Sequence, residues 1–88
     1  MNNKELEKVL KAIANSRRVA ILKYLKHTGK ASVGEIAEKI KLSFKATSKH
    51  LIILFNVGIV EKEQISLTML YFLPKNNHPM VSKLLLII

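Results

Sequence analysis

The segment LSFKATSKHLIIL, residues 42–54, carries two lysines four residues apart and no acidic residue. Ser43 can begin a helix here, because its hydroxyl can accept a backbone N–H of the first turn. Lys45 and Lys49 then share one side of the helix, away from Leu51. Lysine can pair with guanine O6 and N7 or with phosphate oxygens. The pattern therefore favours contact with a polyanion over a helix side that is merely solvated.

The whole chain is basic, with 15 lysine and arginine residues against six acidic ones and a net charge of +9. Such an excess points to nucleic acid or to an anionic membrane surface. The longest apolar runs, LIILF and LLLII, have five residues, whereas a membrane-spanning helix needs about 20. The helices are short and need their apolar faces for a core, which disfavours binding along a membrane. We expect nucleic acid and not a membrane as partner. The absence of cysteine fits a reducing compartment, so a cytoplasmic protein is expected.

Catalytic and metal chemistry have little support. The chain has no cysteine, and its three histidines, His27, His50 and His78, lie far apart in sequence. No glycine-rich phosphate loop or acid–base spacing is present. The sequence opens with MNNKELEKVL, which contains no apolar signal-peptide core. We expect no enzyme activity, no cofactor and no metal site.

Apolar residues at helical spacing predict two amphipathic helices in the first third of the chain. The first runs from Asn3 to about Ala14. The second starts with Ser16 as its N-cap and stops at Gly29.

Two more helices follow, with only three residues between them. Ser32 and Glu35 form an S-x-x-E capping box that begins the third helix. Ser43 begins the fourth, and Gly58 ends it. Two short helices joined by a tight turn predict a helix-turn-helix at about residues 32–57.

After Gly58 the periodicity changes from helical to alternating, starting at Ile59. The stretches IVEKEQI and LTMLYFL predict a β-hairpin with its turn near Ile65–Ser66. Pro79 suits the first position of a last helix, with Asn77 or His78 as its cap.

The order of elements predicts a mainly α fold with a small β-hairpin, a winged helix-turn-helix. Residues 1–88 form one domain, with the wing at about 59–73 and the C-terminal helix at about 79–88.

Three segments of the chain resemble the ArsR-like winged-helix transcriptional repressors. LKAIANSRRVAILKYL is similar to the family's signature around an arginine, here Arg18. SVGEIAEKIKLSFKATSKHLIIL is similar to its helix-turn-helix, including the S-[KR]-H-L ending at residues 48–51. VGIVEK resembles the lead into the wing. The similarity covers about residues 9–63 and implies a DNA-binding repressor.

Three departures from the family pattern limit what the resemblance implies. The fourth helix corresponds to the family's DNA-recognition helix. The third helix, which precedes it, lacks the cysteine pair that many metal sensors of the family carry there. Residues 64–88 contain no acid and only His78, so the acid–histidine metal set of other members is also missing. The wing is short and apolar, whereas family wings are usually basic.

DNA contacts are predicted around the start of the fourth helix. Phe44 could touch a thymine methyl group or pack beneath Lys41. His50 could be packed or bonded to phosphate, and Arg17 could meet phosphate or water. The resemblance implies that the stem of Arg18 packs on the core. The predicted DNA-binding residues are Ser43, Phe44, Lys45, Ser48, Lys49, His50, Arg17 and Lys41.

A homodimer is also predicted, because the apolar fraction of 49% exceeds what one small core can cover. Family members that resemble this chain dimerise through their terminal helices. The predicted interface residues are Leu6, Leu10, Ile13, Met80, Leu84, Leu85 and Ile88.

The sequence therefore predicts a transcriptional regulator that binds specific sequences of double-stranded DNA, a homodimeric repressor without a metal-sensing site. The alternative is a winged-helix module for protein–protein interaction. The apolar wing and the pair Ile52 and Ile53 favour that alternative, whereas the basic segment 41–50 favours DNA.

Overall fold

The computed structural model describes residues 2–88, in which five helices and a three-stranded antiparallel sheet share one core. This is the winged helix-turn-helix that the sequence predicts. In chain order the elements are α1 (Asn3–Ile13), α2 (Ser16–Thr28), β1 (Ala31–Ser32), α3 (Val33–Ile40), α4 (Phe44–Asn56), β2 (Glu61–Ile65), β3 (Thr68–Phe72) and α5 (Pro79–Ile87).

The start of α2 differs from the prediction by one residue. Asn15, and not Ser16, is the N-cap, and its side-chain oxygen accepts the backbone N–H of Arg18 at 3.1 Å. Asparagine and serine cap helices about equally well. Asn15 is the residue whose backbone is extended, with φ of −155°, so it makes the turn between the two helices.

Local hydrogen bonds cap both ends of α3, the first helix of the helix-turn-helix. The predicted capping box is present: Glu35 N–H donates to Ser32 Oγ at 3.2 Å, and Ser32 N–H donates to Glu35 Oε1 at 3.1 Å. At the other end Lys41 has a left-handed backbone, with φ of 57°. The N–H of Leu42 then returns to the carbonyl of Ala37 at 3.0 Å. The tight turn brings α4 directly after α3.

Strands β2 and β3 form the predicted hairpin. Ile65 lies opposite Thr68, so the turn consists of Ser66 and Leu67, one residue later than predicted. Ser66 has a left-handed backbone, with φ of 57°. A two-residue hairpin of this kind often has Asn-Gly at the turn, and its absence explains the shifted prediction.

Two features of the sheet were not predicted correctly. The strand β1 was missed because its two residues carry no periodicity, and it pairs with β3 through Ala31 and Tyr71. The predicted alternation is wrong at its start, because Ile59 and Val60 precede β2 and are both buried. These two residues anchor the hairpin to the core and are not part of its strands.

Helix α5 begins with Pro79 in its first turn and His78 as its cap, as predicted. It packs against α1 and α2 and ends at Ile87, one residue before the predicted end. Its only fully buried residue is Val81.

The core receives apolar side chains from all five helices, the sheet and the lead into the wing. Its largest fully buried apolar members are Ile21, Leu22, Leu25, Ile36, Leu51, Leu54, Ile59, Val60 and Val81.

Candidate nucleic-acid interface

Helix α4 is held by one buried side and shows the opposite side to solvent. Thr47, Leu51 and Leu54 are fully buried, at the spacing of one helix face. Lys45 and Lys49 are exposed and lie one turn apart on the other side. The structure therefore presents both ammonium groups from the N-terminal half of α4.

The first turn of α4 adds to this positive surface. Ser43 Oγ accepts the backbone N–H of Ala46 at 3.1 Å, and the hydroxyl hydrogen remains available to donate. The N-terminus of a helix also carries a partial positive charge. Ser48 is half-exposed next to Lys49, and Lys41 is exposed in the turn before the helix. Anionic groups of a ligand would be attracted to this end of α4.

Phe44 places an apolar ring beside these cations. Its side chain is 63% exposed, so most of the ring is open to solvent. The ring lines an open groove together with the start of α3 and the hairpin; the other lining residues are Ser32, Val33, Gly34, Leu67, Thr68 and Met69. Leu67, at the tip of the hairpin, is 95% exposed. We call this groove the wing-side groove.

Two lysines at the hairpin contact neighbouring side chains. Lys30, before β1, forms an ion pair with Glu63 and lies 5.0 Å from the ring centre of Phe72. The ammonium group of Lys62, within β2, lies 4.4 Å from the ring centre of Phe55. The hairpin therefore combines an apolar, exposed tip with lysines that contact rings or a carboxylate nearer its base.

Arg18 connects α2 to α4. Its Nη1 lies 3.2 Å from His50 Nδ1, and its Nη2 donates to the carbonyl of Lys11 at 3.2 Å. Its Nε donates to the carbonyl of Ala12 at 2.5 Å. The predicted role of Arg18 was packing alone. The bond to His50 joins residues 32 positions apart, and no local sequence pattern indicates such a contact.

The imidazole of His50 is half-exposed, and its surroundings disfavour the protonated form. Partial burial, then the positive charge of Arg18, then that of Arg17 lower its pKa below the usual 6.5. His50 is therefore a neutral ring at neutral pH.

The eight residues predicted to contact DNA lie on three neighbouring elements. Six of them are the cap and the first two turns of α4, and Lys41 lies in the preceding turn. Arg17 is exposed at the start of α2, close enough to His50 to affect its pKa. Arg18 is the residue of this cluster that was not among the predicted DNA-binding residues.

The seven residues predicted for a dimer interface fall into two groups. Leu10 and Met80 are exposed, at 39% and 38%, and Leu6 is half-buried. The other four are half-buried against the core of their own chain; these are Ile13, Leu84, Leu85 and Ile88. The largest apolar exposure on α5 belongs to Leu86 and Ile87, each at 82%.

Within residues 2–88, no three side chains of histidine, cysteine, aspartate or glutamate come together in a group that could hold a metal ion. Across the same residues, no helix combines the length and the apolar character that crossing a bilayer requires.

The chain was compared with known proteins. The profile of the bacterial regulatory proteins of the arsR family matches residues 15–62, which includes α2, the helix-turn-helix and the start of β2. The transcriptional activator HlyU of Vibrio cholerae is 39% identical over 80 residues, which cover 83% of this chain and 73% of that protein.

Solved structures agree with the profile. Reduced HlyU from Vibrio cholerae superposes with a TM-score of 0.81 at 32% identity, covering 98% of this chain and 86% of the other. A second similar structure is that of the homodimeric winged helix-turn-helix DNA-binding domain of a possible ArsR-family transcriptional regulator from Mycobacterium bovis. It has a TM-score of 0.81 at 27% identity and covers 96% of this chain and 74% of the other. With the basic, exposed side of α4, these matches show that the chain belongs to the arsR family of bacterial transcriptional regulators.

Proposed function

We propose that this regulator is a homodimer that binds specific duplex DNA sequences through α4 and represses transcription without a bound metal. The observation that carries the proposal is the exposed pair Lys45 and Lys49 on the acid-free side of α4. Buried Leu51 and Leu54 fix the helix from behind, so both lysines project from the same, solvent-facing side of α4.

The docking follows from the shape of α4. A recognition helix lies in the major groove with its N-terminal residues toward base edges. Lys45 and Lys49 are then close enough to reach guanine or phosphate oxygens. Ser43 can give its hydroxyl hydrogen to a phosphate at the helix N-terminus.

A dimer would present two copies of α4 to one face of the duplex. The apolar residues exposed on α1 and α5, Leu10, Met80, Leu86 and Ile87, support an interface on the terminal helices. The Mycobacterium bovis domain with the same fold is homodimeric. Two recognition helices about 34–36 Å apart would read a pseudo-palindrome.

Repression is proposed because a dimer that covers a promoter excludes polymerase from it. The Vibrio cholerae relative is named an activator, so the sign of regulation needs its own assay. A reporter gene placed behind a bound promoter, in the cytoplasm of a bacterial cell, should give less transcript when the regulator is expressed. More transcript would contradict repression and leave DNA binding intact.

Regulation without metal is supported by the lack of converging ligands in residues 2–88. Zinc sites take about four nitrogen, sulfur or oxygen ligands. Titration with zinc should leave DNA affinity and melting temperature nearly unchanged. A stoichiometric site that alters either would overturn this part of the proposal.

Binding to a protein is the second candidate function. It is favoured by the wing-side groove and by Ile52 and Ile53, which are 49% and 41% exposed. Selection of bound sequences from a random duplex pool distinguishes the two. A recovered motif with two related half-sites supports DNA recognition. Recovery of no motif, with affinity that does not depend on salt, supports the protein-binding function.

A further inference from the structure

We propose that Arg18 is a positioning residue for DNA binding, which fixes His50 so that its Nε2–H is a hydrogen-bond donor toward a DNA phosphate. The inference rests on the proposed docking of α4 in the major groove. It adds a residue outside α4 to the binding machinery, and it assigns a chemical state to a residue within it.

Arg18 is itself fixed by the end of α1. Its Nε and Nη2 donate to the carbonyls of Ala12 and Lys11. These carbonyls lie at the C-terminus of a helix, where backbone acceptors are unpaired and the helix dipole attracts a cation. Two anchored donors hold the planar guanidinium in one orientation. Its third contact, from Nη1 to His50 Nδ1 at 3.2 Å, therefore has a defined direction.

The contact decides which nitrogen of His50 carries hydrogen. A guanidinium group has five N–H donors and no acceptor. His50 Nδ1 must then accept with its lone pair, so the ring is neutral and its one hydrogen is on Nε2. A ring without this contact could exchange between two tautomers.

The Nε2–H of His50 is available to a ligand. Among residues 2–88, the hydrogen bond of this ring is the contact with Arg18. Thr47 Oγ1 is the fully buried side-chain atom without a partner in that part of the chain, so Nε2, which has no partner there, is not fully buried. His50 directly follows Lys49, and a donor at this position can reach a phosphate that flanks the major groove.

Protonation would break the arrangement. A proton on Nδ1 would occupy the lone pair that Arg18 uses, and two donors would then face each other. The charged groups of α2 that face the ring are Arg17 and Arg18, both positive. From α1, the backbone carbonyls of Lys11 and Ala12 accept from Arg18 and not from the ring. The carboxylate of Glu7 on the same helix is paired with the ammonium group of Lys11 and is not among the groups that shift the pKa of His50.

The test begins with the free protein, labelled with ¹⁵N in its histidines. Two-bond ¹⁵N–¹H spectra should show His50 as the Nε2–H tautomer. Arg18→Gln should give a mixture of tautomers and raise the pKa of His50. Arg17→Gln is the matched control, because it removes the same charge from the same helix turn without removing a hydrogen bond to the ring. It should raise the pKa and leave the tautomer unchanged.

DNA affinity is then measured by fluorescence anisotropy on a selected duplex. Arg18→Gln and His50→Ala should each weaken binding about three- to tenfold, the value of one or two hydrogen bonds. The double variant should bind no more weakly than His50→Ala, because Arg18 acts through His50.

Two further variants keep the test decisive if Arg18→Gln does not fold. His50→Gln retains a donor near the position of Nε2 and should bind DNA more tightly than His50→Asn, whose amide lies near the position of Nδ1. An Nδ1–H tautomer in the wild type, or additive losses in the double variant, would overturn the role of Arg18 while DNA binding persists. A wild type that does not bind DNA would overturn the proposed function as well.

Discussion

The side chain of Asn77 donates a hydrogen bond from Nδ2 to the backbone carbonyl of Ile59 at 3.1 Å. Ile59 is fully buried, and its carbonyl lies where the chain leaves α4 for the hairpin. Asn77 also accepts the N–H of His78 at 2.9 Å, directly before α5. This one side chain therefore joins the base of the wing to the start of the last helix.

Asn77→Ala should lower the free energy of unfolding by about 1–2 kcal/mol, because it leaves a partly buried carbonyl and an N–H without their partner. Urea denaturation measures the loss. Asn76→Ala is the matched control, since Asn76 is exposed. Equal effects of the two substitutions would show that the bond to Ile59 does not stabilise the fold.

Thr47→Val should raise the free energy of unfolding by about 1 kcal/mol. Thr47 is fully buried, and its Oγ1 has no hydrogen-bond partner within residues 2–88. Valine has the same shape and no hydroxyl to desolvate. Thr47→Ser keeps the hydroxyl, removes the methyl group and should be destabilising. A midpoint in urea that is lower for the valine variant than for the wild type would contradict this account of the site.

Stability should fall as the pH drops below about 6.5, in part because of His50. The pKa of this ring is lowered in the folded chain by burial, Arg18 and Arg17. Above 6.5 the ring is neutral in both states and the fold has its full stability. Below that, the unfolded chain takes up the proton first, so the free energy of unfolding falls until the pH passes the folded pKa. At still lower pH this loss of stability is complete and stays constant.

His50→Gln should reduce this loss of stability between neutral and acidic pH, as measured by urea midpoints at several pH values. His27→Gln, at an exposed position of α2, is the control. The same pH dependence in the wild type and in His50→Gln would exclude His50 as the titrating group.

Charged substitutions at exposed residues of the terminal helices should dissociate the dimer. Leu86→Lys with Ile87→Lys should give a monomer in sedimentation, with helical content largely unchanged, because both side chains are 82% exposed. Substituting Leu84 and Leu85 is a poorer test, since they pack on their own core and lysine there would unfold the chain. A dimer that survives charge at residues 86 and 87 and at Leu10 would place the interface elsewhere.

Much of the fold was predictable because it rests on local signals. The capping box of Ser32 and Glu35, the cap at Ser43 and the proline at residue 79 each mark a helix start within a few residues of sequence. The buried side of α4 follows from the spacing of Leu51 and Leu54. These signals determined the order of the elements without information about tertiary contacts.

The rest depended on contacts between distant residues. The strand β1 exists because Ala31 meets Tyr71, and Ile59 and Val60 are buried by the helices around them. The bond from Arg18 to His50 forms because α2 packs against α4. Periodicity within a segment does not contain this information, so the polar network and the wing-side groove could not be predicted.

The central claim is that the exposed lysines of α4 bind DNA. The measurement is the affinity of the wild type, Lys45→Ala and Lys49→Ala for a selected and a random duplex at several salt concentrations. Lys83→Ala is the control, because Lys83 is exposed on α5, which packs on α1 and α2.

A lysine that contacts phosphate should, when removed, weaken binding to both duplexes and lower the slope of log affinity against log salt by about one. A lysine that contacts a base should cost about 1–3 kcal/mol on the selected duplex and relax the preference at one base pair. The account predicts one of these two results for each of Lys45 and Lys49 and neither for Lys83. Wild-type affinity and wild-type salt dependence in both α4 variants would contradict it.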